Sequence, residues 1–477
     1  MSQKAPATEK KPLSNALKFW YGFGDFGFTL MTNVETFYFN AFMTNVAGFS
    51  AALAGTVSTI TSTVDACLSW VYGGIIDAAK AGKWGRYRTW LIMVPWIIPF
   101  LFAFQFLNIS ANPTVSAVVI CAAFILSHIG WNFPYVANVA MVSKAGGTPE
   151  GRAALASSRA TWNNLSGVVF SYAFQAVAIV VADKLGADGY QYAAAAFLFG
   201  VVMAVGYFVH FKITDGYEEI EDPKAPRIKQ KQTTPKDMAK ALLENQPLLL
   251  LVLADLAKWI VKFLVAASAV YYFKYAMGTG LQITYVFFAN LAAVLGAFLA
   301  RYIAKKMSNR GCILFAYLAM AILMIAAYFL YAMPTVVFIL MLLAQCGYGV
   351  CYACSPALYA DTAVYAKWKS GKDSTGFIMG LQNVPLKVAV MIKSVILNAC
   401  LALAGYDAFK TLINEGVAAL DFSYVAQLPA SLQRGICASF CLWPAVFLLI
   451  GFFLLKFGYK LTNERIEQYQ AEIDARA

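Results

Sequence analysis

The sequence has few charged residues, few histidines and no nucleotide-binding motif. Only 13% of its 477 residues are charged, whereas soluble domains carry roughly 25%. The two histidines leave little material for a histidine-based catalytic or metal site. Because no G-x-x-x-x-G-K-[ST] stretch occurs, we expect no P-loop nucleotide site.

Cysteine pairs and a cleavable leader are also missing. Among the nine cysteines, Cys351 and Cys354 alone have a C-x-x-C spacing, and they stand in an apolar stretch without a second pair. That context favours small packing residues over a zinc or redox site. The first nineteen residues are polar and lack an apolar run with a small-residue cleavage site, so we expect no removable signal peptide.

Long hydrophobic runs dominate what is present, since 60% of the residues are hydrophobic. A helix that spans a bilayer needs about 20 mostly apolar residues. Twelve stretches meet this requirement: 17–46, 52–77, 89–109, 113–142, 158–182, 191–211, 246–274, 281–304, 311–332, 334–360, 375–404 and 435–458. A membrane β-barrel would show short alternating segments instead. The sequence therefore predicts an all-α membrane protein with twelve transmembrane helices, surrounded by lipid.

The basic residues are distributed unevenly between the loops. The net charge of +12 would suit nucleic-acid binding if the lysines and arginines were clustered. Instead they concentrate in alternate loops, including 80–88, 144–159, 212–240 and 301–310. Because basic residues mark cytoplasmic loops, we expect both termini and the middle loop in the cytoplasm of a bacterial inner-membrane protein. We expect no nucleic-acid partner.

A polar middle loop divides the chain into two sets of six predicted helices. This layout is that of the major-facilitator transporters, in which two six-helix halves alternate in exposing a site. The predicted domains are an N-terminal half, a cytoplasmic middle loop, a C-terminal half and a cytoplasmic tail: 1–213, 214–245, 246–460 and 461–477.

Polar residues inside the predicted spans point to a cavity. Asp65 is a lone carboxylate, and Ser58, Ser62 and Ser69 share its helical face because they are spaced by three or four residues. A charge at mid-helix costs at least ~2.5–3.5 kcal/mol in a bilayer, so it usually faces protein or water. The same reasoning favours a functional role for Asp25 and Lys387.

Other spans carry similar polar stripes, and a structural explanation remains open for several of them. Carboxylates, amides and basic groups beside Trp and Tyr suit a carbohydrate ligand. However, Asp255 and Lys258 are as well explained by a structural ion pair within one helix. The tyrosine stripe around Tyr352 fits interface packing somewhat better than ligand contact. Arg159 and Lys262 also fit positions near helix ends, from which their side chains reach polar surroundings.

Several motifs, in order along the chain, resemble one transporter family. They are "WYGFGDFGF" (20–28), Asp65-Ala66 followed by "WGRYRTW" (84–90), "NFPY" (132–135), "SSRATWNNLSG" (157–167), "YYFKYAMG" (271–278), "LYADTAVY" (358–365), "GLQNVPLK" (380–387) and "YKLT" (459–462). Together they resemble the glycoside–pentoside–hexuronide:cation symporters, the melibiose permease-like family of the major facilitator superfamily.

The resemblance assigns roles to individual positions. It places the family's cation-binding carboxylate on Asp65, and its second carboxylate, one turn on, falls on Ser69. The family's sugar-binding acids on the first and fourth helices fall on Thr29 and Asn132. Three of four acids are therefore missing. Sodium prefers several oxygen ligands with net negative charge, so H⁺ is favoured over Na⁺ as the coupling ion, and Na⁺ at Asp65 is the disfavoured alternative. The cation-coupling candidates are Asp25, Ser62, Asp65 and Ser69.

Basic positions of the family are retained. Its fifth-helix arginine matches Arg159, and its eleventh-helix threonine and lysine fall on Asn383 and Lys387. Loss of acids with retention of bases favours an anionic substrate such as a uronide or a sulfonated sugar. The substrate-binding candidates are Asp25, Thr29, Trp131, Asn132, Arg159, Asn163, Tyr352, Gln382, Asn383 and Lys387.

The sequence thus predicts a cation-coupled sugar symporter that works by alternating access and needs no cofactor beyond its coupling ion. The alternatives are an uncoupled facilitator or exchanger, and, less favoured, a membrane sugar sensor; an intramembrane enzyme lacks a nucleophile–base pair. Gate residues are expected at the cytoplasmic ends, where pairs would form across the halves: Asp77, Arg86, Arg88 and Asp361. A monomer is expected by analogy with the family.

Overall fold

The protein is α-helical throughout the part that the structure describes. The computed structural model describes residues 12–68, 72, 75–76, 79, 82–146, 149–187, 189–218, 245–370, 378, 381–419 and 421–476. In chain order the helices are α1 Asn15–Trp20, α2 Phe23–Ala41, α3 Ala51–Leu68, α4 Arg88–Met93, α5 Ile98–Phe104, α6 Pro113–Gly146, α7 Pro149–Ala178, α8 Gln191–Ile213, α9 Gln246–Val270, α10 Leu281–Phe329, α11 Pro334–Ser370, α12 Asn383–Ala404, α13 Tyr406–Ala418, α14 Ala430–Cys437, α15 Trp443–Phe453 and α16 Asn463–Arg476. Short π-helical turns extend α2, α7, α9, α14 and α15.

Nine helices of the described residues are long and apolar enough to cross a membrane. Large apolar side chains on them face outward, such as Leu403, which is 91% exposed, and Phe329, which is 75% exposed. Such exposure is expected where lipid rather than water is the surrounding medium. The predicted all-α membrane class is therefore confirmed, whereas the number of twelve spans stays a prediction.

Three of the twelve predicted spans are not among the nine found in the described residues. The span predicted over 89–109 is wrong as a single helix, because α4 and α5 are separated by a turn around Pro95. Proline removes a backbone donor and clashes with the preceding turn, which breaks a helix. The spans predicted over 17–46 and 246–274 are helical, but α2 and α9 carry many polar and charged residues.

Helix α10 contains two of the predicted spans. The basic loop predicted between them is helical up to Ser308, whose φ of 63° and ψ of 161° interrupt the helix. The Ser308 hydroxyl accepts a hydrogen bond from the backbone N–H of Gly311, at 3.2 Å, and so caps the helical arm that follows. The two predicted spans are therefore separated by a break at a single residue, Ser308, and not by the loop predicted over 301–310.

The chain forms two compact units. The first comprises residues 1–35 and 64–230, and the second comprises residues 36–63 and 231–477. They follow the predicted halves except for residues 36–63, which belong with the C-terminal helices. The domain limits drawn from the sequence stay a prediction.

Glycines hold α2 close to its neighbours within the first unit. A Cβ on Gly27 would lie 2.5 Å from the Cα of Met203 on α8, and one on Gly22 would lie 2.5 Å from the carbonyl oxygen of Ser158 on α7. Only glycine permits such an approach of backbone to backbone. Asp25 stands between the glycines of the "WYGFGDFGF" motif. The close packing that they allow therefore buries Asp25 between the helices of the first unit.

The basic loop before α4 is fixed to the end of α8. The backbone N–H groups of Arg86, Tyr87 and Arg88 donate to the carboxylate of Glu218 at 2.9, 2.9 and 3.1 Å. Gly85 has a φ of 106°, and a Cβ there would lie 2.5 Å from a Glu218 oxygen, so both conformation and space require glycine. This explains the glycine of the "WGRYRTW" stretch by local structure.

In the second unit, the C-terminal end of α2 is hydrogen-bonded to the C-terminal helices. The Asn40 amide donates to the Tyr271 hydroxyl at 2.7 Å, and the Thr44 hydroxyl lies 2.8 Å from the same oxygen. Asn398 of α12 donates to the Asn40 oxygen at 2.8 Å. The backbone N–H of Ala51, at the start of α3, donates to the Asp407 carboxylate at 3.1 Å. These contacts explain why residues 36–63 belong to the second unit.

We predict that Tyr271→Phe loosens residues 36–63 from the C-terminal helices. The change removes the oxygen shared by Asn40 and Thr44, and each lost hydrogen bond costs about 0.5–1.5 kcal/mol. Mass spectrometry of a Thr44→Cys variant should show faster labelling by a membrane-impermeant thiol reagent. Tyr190→Phe, at a 59% exposed tyrosine, is the control. Equal labelling rates in both backgrounds would contradict a restraining role for Tyr271.

Candidate functional site

A buried ion pair joins three helices of the first unit. The Nε and one terminal nitrogen of Arg159 on α7 donate to the two carboxylate oxygens of Asp25 on α2, at 2.9 and 2.7 Å. The Asn138 amide of α6 donates to Asp25 as well, at 3.0 Å. The Asp25 side chain is 2% exposed and that of Arg159 is 19% exposed. The guanidinium therefore meets the carboxylate in the bidentate geometry that is most favourable for this pair.

This pairing changes what Asp25 and Arg159 offer to a ligand. Both were predicted to bind substrate, and Asp25 was also a candidate for cation coupling. In the structure each charge is compensated by the other, so the pair presents a neutral group whose hydrogen-bonding capacity is largely used internally. Their substrate roles stay predictions, and the cavity has one free basic group fewer than the sequence suggested.

Asp65 lies beside the fourth predicted span. One of its carboxylate oxygens accepts a hydrogen bond from the Asn132 amide of α6 at 3.2 Å. The same Asn132 nitrogen also donates to the backbone carbonyl of His128, at 2.7 Å. Ser58 and Ser62, on the same helix as Asp65, are buried. The position of Ser69 lies outside the described residues.

Aromatic rings form a wall next to these polar groups in the first unit. The Phe28 ring packs against Trp131, with centroids 4.9 Å apart, and stacks on Tyr135 at 4.8 Å. Thr29 lies half-buried one residue further along α2, whereas Asn163 on α7 is exposed. The structure therefore places Asn132 against Asp65 and Trp131 against other aromatic rings, and the role of these residues in binding a sugar ring stays a prediction.

A second buried ion pair lies in the C-terminal unit. The Lys258 ammonium is 2.6 Å from an Asp255 oxygen, and both side chains are 4% exposed. The Ser355 hydroxyl of α11 donates to the same Asp255 oxygen at 2.6 Å. The geometry supports the structural interpretation of Asp255 and Lys258, since a buried pair with a further hydrogen bond is a satisfied unit.

Lys262, one turn further along α9, differs from Lys258. Its ammonium lies 3.4 Å from the Asn290 side-chain oxygen, and no carboxylate of the described residues is within 4 Å of it. It lines a small recess with Asn290, Tyr285 and Gln345. The Tyr285 hydroxyl is buried and makes no hydrogen bond of standard geometry within the described part of the chain. Lys262 is thus a cation held by neutral groups.

The remaining predicted substrate residues are in the same unit. Tyr352 is 42% exposed and its ring lies 5.8 Å from the Lys258 ammonium. Gln382 and Lys387 are half-buried at the start of α12. Nothing is described of the Asn383 side chain, although Asn383 is the first residue of α12. These assignments stay predictions.

Two of the predicted gate residues, Arg86 and Arg88, have partners inside the first unit. Arg88 pairs with Asp215 at 2.7 Å and donates to the Phe211 carbonyl at 2.9 Å. Asp361 is half-buried on α11, and Asp77 lies outside the described residues. Pairs across the halves therefore stay a prediction.

One polar cluster escaped the sequence analysis. Glu35 of α2 lies 3.5 Å from the His128 ring nitrogen Nε2 and accepts a hydrogen bond from Gln105 at 3.4 Å. No local pattern in the sequence joins Glu35 and His128, because they stand far apart along the chain. In the described part of the chain, no group of three histidine, cysteine, aspartate or glutamate side chains is placed to hold a metal ion.

Comparison with known proteins gives a consistent result. Residues 20–463 match the profile of the family described as MFS/sugar transport protein. The uncharacterized symporter YjmB of Bacillus subtilis (strain 168) is 25% identical over 469 residues, covering 97% of this chain and 95% of that protein. The glucuronide carrier protein homolog of Escherichia coli (strain K12) is 24% identical over 479 residues, covering 96% and 94%.

Solved structures agree on the fold. A bacterial homolog of the human lysosomal transporter Spinster, inward-facing and unoccupied, superimposes with a TM-score of 0.66 at 14% identity, covering 93% of this chain and 96% of that chain. At that identity the likeness concerns the fold alone. The major-facilitator fold predicted from the six-plus-six layout is confirmed.

We predict that Asp25→Asn destabilises the protein strongly. The variant leaves the Arg159 guanidinium buried without its counter-charge, and breaking such a pair costs about 3–5 kcal/mol. The apparent melting temperature in detergent measures this effect. The matched control is Asp215→Asn, whose pair with Arg88 is 77% exposed on the aspartate side and should cost about 0–1 kcal/mol. An equal decrease in melting temperature in both variants would contradict a large contribution of the Asp25–Arg159 pair to stability.

Proposed function

Because the chain belongs to the family of MFS/sugar transport proteins, we propose that it is a symporter that couples sugar or glycoside uptake to H⁺. Membership of this family makes it a membrane transporter of sugars rather than an enzyme. The proposal adds three points to this family membership: H⁺ as the coupling ion, an anionic substrate, and alternating access. The observation that carries the proposal is the single carboxylate of Asp65 beside Asn132 and an aromatic wall.

Asp65 is proposed as the coupling residue. It accepts a hydrogen bond from the neutral Asn132 amide at 3.2 Å, and the described residues hold no group of three histidine, cysteine, aspartate or glutamate side chains placed to bind a metal ion. One carboxylate suffices to take up and release a proton, whereas sodium prefers several oxygen ligands with net negative charge. These features support H⁺ over Na⁺.

We propose that the substrate is anionic and that Lys262 contacts it in addition to Lys387. Arg159 and Lys258 are each compensated by an aspartate, so they contribute less free positive charge than the sequence suggested. Lys262 keeps its charge among neutral partners, and a carboxylate or sulfonate would supply the missing counter-ion. A relative described as a glucuronide carrier makes the uronides the first class to test.

Transport is proposed to proceed by alternating access. The hydrogen bonds of Asn40, Thr44 and Tyr271 would have to break when residues 36–63 leave the C-terminal helices. The alternative is an exchanger without a coupling ion, and it predicts movement only down a substrate gradient.

For the coupling residue, we expect Asp65→Asn to abolish proton-driven accumulation while exchange down a substrate gradient survives. The isosteric amide keeps the shape of the side chain but carries no exchangeable charge. Uptake of a radiolabelled glucuronide into proteoliposomes, with proton and sodium gradients imposed separately, is the measurement. Sodium-driven uptake that does not depend on pH would contradict H⁺ as the coupling ion. Full accumulation in Asp65→Asn would contradict a coupling role for Asp65.

For the substrate, we expect Lys262→Gln to weaken binding of methyl glucuronide by about tenfold or more, because a charge-assisted contact is worth about 1.5–3 kcal/mol. Binding of the neutral methyl glucoside should change little. Thermal-shift titration of purified protein gives both affinities, and Lys387→Gln is measured in parallel. Lys184→Gln, in a predicted outer loop, controls for net charge. An unchanged glucuronide affinity in Lys262→Gln would remove Lys262 from the site, and binding of neutral sugars alone would remove the anionic assignment.

A further inference from the structure

A cluster of four polar side chains joins α2, the end of α5 and α6 in the first unit, apart from Asp25 and Asp65. The side chains of Glu35 and His128 are 14% and 6% exposed, and Gln105 and Ser127 are fully buried. Ionisable residues in a membrane-spanning region are costly and usually serve a function.

The backbone of α6 fixes the tautomer of His128. The ring nitrogen Nδ1 lies 3.0 Å from the Phe124 carbonyl oxygen, one helical turn earlier. A carbonyl oxygen only accepts, so this geometry assigns a hydrogen to Nδ1. The Phe124 ring stacks on the imidazole with centroids 3.8 Å apart, which holds the ring orientation. The second nitrogen, Nε2, therefore decides the charge of the ring.

Nε2 faces the carboxylate of Glu35. The distance from Nε2 to Oε2 is 3.5 Å. With Nδ1 protonated, a neutral imidazole would direct the Nε2 lone pair at a carboxylate oxygen, and the two would repel each other. One proton between them removes the repulsion, either as an imidazolium–carboxylate pair or as a carboxylic acid that donates to a neutral ring.

Gln105 favours the ionic arrangement. Its amide oxygen lies 3.1 Å from the Ser127 hydroxyl, which also lies 2.8 Å from the Phe124 carbonyl oxygen, and its NH₂ group is directed at Glu35. That NH₂ group donates to Oε2 at 3.4 Å. An oxygen that accepts from Gln105 is best left as a carboxylate oxygen, so the shared proton belongs on Nε2.

We propose that Glu35 and His128 form a proton-binding site, separate from Asp65, whose occupancy stabilises the packing of α2 against α6. With its proton the pair is neutral, and without it the pair carries a net negative charge in a buried position. All four side chains of the cluster belong to the first unit. A part in transport rests on the proposed function, whereas the proton site itself does not.

Several other charged or titratable groups lie on the helices near Glu35 and His128, and those of the first unit make contacts of their own. On α2, Asp25 is ten residues away, about 15 Å along the axis, and is paired with Arg159 of α7. On α3, Asp65 bonds to Asn132, whose amide also meets the His128 carbonyl. Helix α5 carries no titratable group, and on α8 His210 packs on Tyr21. Within the second unit, the Lys393 ammonium lies 3.5 Å from the Thr36 carbonyl.

The chain offers a direct test, because it contains only two histidines. Nitrogen-15 NMR of histidine-labelled protein in detergent, with the signal assigned by His128→Gln, reports both ring nitrogens. In the wild-type protein we expect His128 to be protonated on both nitrogens at pH 7.5. A neutral ring protonated on Nδ1 alone, beside an ionised Glu35, would overturn the proposal without any need for a variant at Glu35.

Glu35→Gln tests the pairing itself. The amide cannot share the proton, so we expect His128 to bind it at least about tenfold more weakly, a displacement of about one pH unit in its titration midpoint. The proposal expects the wild-type melting temperature to fall as pH rises, since stability that depends on a bound proton is lost when the proton leaves, and it expects Glu35→Gln to lose this fall. Glu415→Gln, at an exposed position, is the control. An identical midpoint in Glu35→Gln and wild type would contradict the site.

The transport role is tested separately. In proteoliposomes, uptake of radiolabelled methyl glucuronide at equal pH on both sides should respond to pH differently in His128→Gln and in wild type. The same pH profile in both would remove the site from the transport cycle. Absence of uptake in wild-type protein would instead count against the proposed function, while the NMR result on the proton site would stand.

Discussion

Charges inside the helical units must be compensated, and the architecture of both units follows from this constraint. Water is absent from the hydrocarbon region of a bilayer, so each buried charge needs a partner of opposite sign or a set of hydrogen bonds. Asp25 with Arg159 meets this need in the first unit and Asp255 with Lys258 in the second. The first pair ties α2 to α7, whereas the second lies within α9 and is tied to α11 through Ser355.

The groups left outside these pairs are the ones that suit a function. Asp65, Lys262 and the Glu35–His128 pair are held by amides, backbone carbonyls or each other. The proposed roles in proton exchange and in binding an anionic ligand rest on these groups. The two buried ion pairs thus stabilise the helical units, and the few other ionisable residues are the candidates for a function.

The sequence predicted the class of protein well because its signals are local. Runs of about 20 apolar residues report membrane helices directly, and the ordered motifs covered nearly the whole chain. Proline explains the break between α4 and α5, and a closer reading of Pro95 would have found it. The membership of residues 36–63 in the second unit has no such signal, since it depends on contacts with distant helices.

What the sequence by itself determined is therefore the all-α membrane class, the transporter family and the set of intramembrane polar residues. Each of these depends on composition, periodicity or short motifs, which are properties of neighbouring positions. Only the tertiary structure decided which of these residues neutralise one another. Asp25 and Arg159 stand 134 positions apart, and Gln105 meets Glu35 across 70. The energy of a buried charge depends on what lies within a few ångströms of it, and helix packing alone sets those distances.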